Sequence, residues 1–187
     1  MDLQHLSIKV FAERPETIDL SNFTGVFNSW IQRRVADELL IDVADYSHVF
    51  AGPGVILIGH EANYSLDNAG RRLGLLYNRK AKVEGTTHER LKQAARAALL
   101  ACQRLEKEQA LKFSGQEMRV IVNDRLIAPN TDETFTSLAP EFKSFFDTLY
   151  RGAEYLLNPT PDPRERLTVN VRAASRFDVE TLLRNLS

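Results

Sequence analysis

The groups able to move protons gather in one stretch, Gly59-His60-Glu61-Ala62-Asn63-Tyr64-Ser65-Leu66-Asp67-Asn68. Histidine exchanges protons near neutral pH, and a carboxylate beside it can hold the ring in one orientation. The stretch follows an apolar run, Val55-Ile56-Leu57-Ile58. Polar groups at the end of a buried strand stand on a rigid support next to solvent, where sites are often built. His60, Tyr64 and Asp67 are therefore the candidate catalytic residues. Asp42, Tyr46, Glu61, Arg71 and Arg79 are the candidate ligand-binding residues.

Strand geometry constrains how these groups combine. Suppose the segments on either side of Gly52-Pro53-Gly54 pair as a hairpin in even register. Asp42, Ala44, Tyr46 and His48 then share a face with Ile56, Ile58, His60, Ala62 and Tyr64. His60 and Glu61 point to opposite faces unless Gly59 carries a bulge. His60 with Tyr46 or Tyr64 and Asp42 is thus the more coherent site. The simpler reading of His60 is a hydrogen-bonded structural histidine. His48 and His60 fall roughly 13 Å apart along such a ladder, too far for one ion held at about 2 Å per ligand. Neither a metal nor a cofactor is expected. Arg71, Arg72, Arg79, Lys80 and Lys82 could hold an anionic ligand or a partner. The preferred reading is that they guard an edge strand against aggregation.

The motifs with a defined mechanism are missing. There is no phosphate loop, no dinucleotide glycine fingerprint, no Gly-x-Ser-x-Gly elbow and no His-Glu-x-x-His. Gly52-Pro53-Gly54 is a tight turn. The one cysteine, Cys102, excludes an internal disulfide and a thiolate-rich metal site. It lies on an apolar helix face, where a thiolate is disfavoured. The formal net charge of -1 lacks the basic surplus that phosphate neutralisation needs, so no nucleic-acid partner is expected. The same balance argues against an anionic membrane surface. The first residues contain Asp2 and no apolar h-region, and no run reaches a membrane span. A cytoplasmic protein is expected.

The elements follow from periodicity and punctuation. Leu6–Phe11 alternates as a strand. Phe23, Phe27, Trp30 and Ile31 form one helical stripe, with Asp19 or Ser21 to cap it. Residues 39–83 read as an antiparallel meander of three strands, the second of which runs from Val55 to about Tyr64. Thr86 and Glu89 match a capping box before a long helix. Met118–Val122 is a further strand. Residues 127–136 read as turn, and Pro140 suits the first turn of a helix carrying Phe142, Phe145 and Phe146. Residues 158–163, with three prolines, read as a loop. Leu167–Val171 is a last strand, and Asp178 opens a terminal helix.

The order β-α-β-β-β-α-β-α-β-α implies an α+β fold over residues 1–187, a single domain. Its sheet is expected to be mixed but largely antiparallel, with helices packed on it. The β-α-β-β start is analogous to a ferredoxin-like sandwich, an analogy that fixes no function. Two functional readings remain. The first is a non-catalytic module that binds a protein partner or a small molecule, or assembles as a homo-oligomer. Val55 to Ile58 is apolar on both faces and so calls for cover on both. The second is a small enzyme, a hydrolase or proton-transfer catalyst, built on the polar segment around His60.

Overall fold

Leu6–Ala12 forms the first strand, β1, in the computed structural model, which describes residues 1–187. The helix α1, Phe23–Arg33, buries Phe23, Phe27 and Trp30 on one stripe and ends at Arg34, whose φ of 50° is left-handed. Four strands follow: β2 (Leu40–Tyr46), β3 (Gly54–Gly59), β4 (Ala62–Asp67) and β5 (Gly74–Arg79). Gly54 is required at the β2–β3 turn: its φ is +66°, and a Cβ there would lie 1.9 Å from the Leu66 carbonyl oxygen.

Helix α2, Thr87–Glu108, begins with the expected capping box. The Thr86 hydroxyl accepts from the Glu89 N–H (3.2 Å), and the Glu89 carboxylate accepts from the Thr86 N–H (2.7 Å). The chain continues through β6 (Phe113–Val122), α3 (Asp132–Leu149), β7 (Tyr155–Pro159), β8 (Thr168–Ala173) and α4 (Val179–Asn185). Asp178 caps α4 by accepting from the Thr181 N–H at 2.7 Å.

All eight strands form one sheet in the order β2-β3-β4-β5-β1-β6-β8-β7. Every pairing is antiparallel, so the sheet is not mixed. It is also larger than a ferredoxin-like sandwich. Two strands beyond the expected order account for the difference. The segment read as one strand from Val55 to Tyr64 reverses at His60-Glu61 and makes two, β3 and β4, paired Leu57 to Tyr64 and Ile58 to Asn63. The other is β7, a strand absent from the expected order: only its last two residues fall in the segment read as a proline loop, and it ends at Pro159 on the sheet edge, where a missing N–H costs no ladder bond. Helix α3 starts earlier than Pro140. Thr131 caps it by accepting from the Thr134 N–H (3.2 Å), and Pro140 sits inside it on an exposed position.

Leu6, Ile8 and Val10 of β1 lie on the same sheet face as Leu57, Tyr77, Val120 and Val169, and all four helices bury their apolar residues in that one core. The other face has no helix. Ile56 and Ile58 of β3 are only half-buried there, so the apolar strand expected to need cover on both sides has it on one. At the centre of this open face Lys9 pairs with Asp67 at 2.5 Å, and both are buried. Burial pushes the Lys9 ammonium below its ordinary range, and the Asp67 carboxylate opposes that shift.

Candidate functional site

Helix α1 packs over β2 and β3, whereas α2 packs over β5 and β1. Between them lies a cleft of about 500 Å³. Its floor is Leu57, Tyr64 and Tyr77, one residue from each of three adjacent strands in direct register. One wall is the flank of α2 that presents Gln93, Ala97, Ala101 and Arg104, spaced by one helical turn. The two alanines leave the space that a larger side chain would fill. Trp30, from the end of α1, closes one end; its indole N–H donates to Glu108 at 2.7 Å, and Arg33 binds the same carboxylate at 2.9 Å.

Glu38 organises the opposite wall. Its Oε2 accepts from the N–H groups of Glu61 (2.8 Å) and Ala62 (2.9 Å), and its Oε1 accepts from the Tyr64 hydroxyl (3.0 Å). The β3–β4 turn is thereby tied to the segment before β2. Gly59 makes this possible, since a Cβ there would lie 2.5 Å from Glu38 Oε2. The Tyr77 hydroxyl accepts from Gln93 at 3.0 Å, with Arg79 at 3.5 Å. Arg79 pairs with Glu61 at 2.9 Å and donates to the Ala81 carbonyl at 2.9 Å. The two tyrosine rings meet edge to face, with centroids 5.2 Å apart. Burial raises both phenol pKa values, and the Glu38 charge adds to the rise at Tyr64. Both therefore stay protonated as hydrogen-bond donors. Arg104 lies over the Trp30 ring at 5.8 Å, donates to the Val35 carbonyl at 3.3 Å and makes no ion pair.

The chain matches no protein-family model and none of the curated proteins it was compared with.

The structure brings three of the eight candidate residues together: Tyr64, Glu61 and Arg79 all line the cleft. It disperses the others. His60 is exposed in the β3–β4 turn and lies outside the cleft lining; its backbone N–H donates to the Leu39 carbonyl at 2.8 Å. Asp67 is buried on the open face of the sheet, opposite to Tyr64, in the pair with Lys9. Asp42 and Tyr46 are exposed on β2. The even register places Asp42 opposite Ile58 and Ala44 opposite Ile56, but the reversal at His60-Glu61 moves Tyr64 to the other face. Arg71 is exposed, with its guanidinium over Phe50 at 5.6 Å. The edge-guarding reading of the basic residues fails for Arg79, because β5 lies between β4 and β1 inside the sheet.

The cleft residues missed from sequence are Glu38, Tyr77, Gln93, Trp30 and Arg104. Trp30 is the only tryptophan, and Tyr77 lies opposite Tyr64 once β4 and β5 are paired. Glu38 stands outside every periodic segment. Burial pushes the Cys102 thiol up, away from the thiolate form, and Cys102 does not line the cleft.

Proposed function

We propose that this protein is a non-catalytic binding module whose α1–α2 cleft takes one small organic molecule with an apolar body and polar ends. The observation that carries this reading is the cleft itself. It has the volume of a small-ligand pocket, an aromatic and aliphatic floor, and polar groups fixed in place before any ligand arrives. Tyr64, Tyr77 and Glu38 are held by the bonds described above, so their positions are preorganised. Arg104 keeps donors without a charged partner at the Trp30 end, where an anionic group of the ligand is accommodated. The raised tyrosine pKa values fit hydrogen-bond donors better than bases.

Trp30 supplies the assay, because the only tryptophan lies in the cleft wall. Anilinonaphthalene sulfonate, a dye with an apolar body and one anionic group, is the probe. Its titration should change Trp30 emission with a stoichiometry of one. Ala97→Phe fills the space between α2 and the floor and should abolish binding while the circular dichroism stays that of the wild type. Binding that survives Ala97→Phe, or that never saturates, refutes the reading.

A further inference from the structure

We infer that the free edge of β2 takes up an extended basic segment of a partner protein by strand addition. The two ends of the sheet differ. At one end β7 terminates in Pro159 and exposes Leu156. At the other, β2 contains no proline and no lysine; an irregularity between Leu40 and Asp42 and two aspartates are its only edge devices, and the register is regular from Asp42 to Tyr46. Exposed apolar side chains concentrate on and beside it: Leu39 is 68% exposed, Ile41 53% and, in the turn after it, Phe50 83%.

Charge selects the occupant. From Val35 to Gly70 there are six carboxylates (Asp37, Glu38, Asp42, Asp45, Glu61 and Asp67) and no lysine or arginine; Arg71, the next residue, stands over Phe50 at the turn, and β2 itself carries no cation. Asp67 and Glu61 are neutralised by Lys9 and Arg79. Asp42 and Asp45 have no cationic partner and point to opposite faces of the sheet. A strand laid against β2 would therefore meet a carboxylate on each face, and lysine or arginine on either side of that strand is recognised. The Asp42 carboxylate now accepts from the Val43 N–H at 2.8 Å; strand addition replaces it with a partner carbonyl and frees it for the partner's cation. A second copy of this chain fits poorly, since two β2 edges side by side would bring four aspartates together.

The test titrates isotope-labelled protein with a short capped peptide of alternating valine and lysine, followed by amide chemical shifts. Saturable shifts should centre on residues 39–46, and their amide exchange should slow. A peptide with glutamate in place of lysine should bind at least roughly tenfold more weakly. The same loss is expected for the lysine peptide against Asp42→Asn/Asp45→Asn, in which the asparagines still reach the local N–H groups. Shifts centred elsewhere, no saturable binding, or equal binding by a peptide N-methylated on its bonding edge would overturn the inference. So would light scattering of the protein alone that shows a dimer lost in Val43→Pro.

Discussion

The cleft depends on Glu38, and its removal gives the sharpest test of the geometry. Glu38→Ala deletes one acceptor for each of three donors: the Glu61 and Ala62 amides and the Tyr64 hydroxyl. Hydrogen bonds to a charged acceptor contribute about 1.5–3 kcal/mol each, but three that share one carboxylate are not additive. The site is half-buried, so water recovers part of the loss. A destabilisation of about 2–4 kcal/mol is expected. At this chain length each kcal/mol lowers the melting temperature by about 2–4 °C, which gives a fall of about 5–15 °C. Glu38→Gln is the control. Its carbonyl oxygen can face the two amides, and the Tyr64 hydroxyl can turn to accept from the new NH2 group, so the cost should stay within about 1 kcal/mol. Gly59→Ala should cost at least as much as Glu38→Ala, because the added Cβ displaces the same carboxylate and also meets the Ala62 carbonyl oxygen at 2.6 Å. Thermal unfolding by circular dichroism reads all three. Equal losses in the Ala and Gln variants would mean that charge, not bonding geometry, holds the turn. No loss in either would mean that the β3–β4 ladder closes it unaided.

Lys9→Met should cost about 3–5 kcal/mol in denaturant unfolding because it leaves Asp67 buried without its cation, whereas Lys9→Met/Asp67→Leu should return to within about 1 kcal/mol of wild type or exceed it; a double variant as unstable as the single one would show that the pair is worth more than its desolvation. Tyr64, Tyr77 and Tyr150 all have raised pKa values, with burial the leading cause. Their stabilisation is fully present below the unfolded tyrosine pKa of about 10 and is lost above it, at up to about 1.4 kcal/mol per pH unit for each. Phenolate absorbance from these three should therefore rise together with unfolding, and phenolate signal from them with native circular dichroism would contradict their burial.

The sequence was legible where a single local signal decides the outcome. The α2 capping box is such a case, because Thr86 and Glu89 satisfy each other's backbone within one turn. The even β2–β3 register is another, fixed by a glycine turn and alternating side chains. Misreadings arose where tertiary context overrides the local signal. His60-Glu61 contains no strong turn former, and its reversal is enforced from outside by Glu38 binding two of the turn's N–H groups. Pro159 looks like a strand breaker until β7 is known to be an edge. For the site, the polar density after Gly59 pointed to the right neighbourhood and to Tyr64, Glu61 and Arg79. It misplaced His60 and Asp67, because one unrecognised reversal changes which face every later residue occupies. Gln93 and Arg104 come from a helix 30 or more residues beyond the turn, and no local pattern connects them to it.

The two parts of the chain explain why the cleft lies where it does. Both β1-α1-…-β4-β5-α2 and β6-α3-β7-β8-α4 run strand, helix, strands, helix. In each, the first strand pairs with the last, β1 with β5 and β6 with β8, and β1 and β6 meet antiparallel inside the sheet. The aromatic spacing of Phe23/Phe27 and Phe142/Phe146 follows the same plan on α1 and α3. The difference is width. The second part spans three strands, and α3 packs directly on α2 and α4, with Phe145, Phe146 and Tyr150 filling the space between. The first part spans five strands, which carries α1 out over β2 and β3 and away from α2. Helices set this far apart cannot close over the floor, and alanines at 97 and 101 do not reach across it. The extra strands β2 and β3 thus create both features on which function is proposed to rest: the gap above Tyr64 and Tyr77, and the acidic free edge beside it.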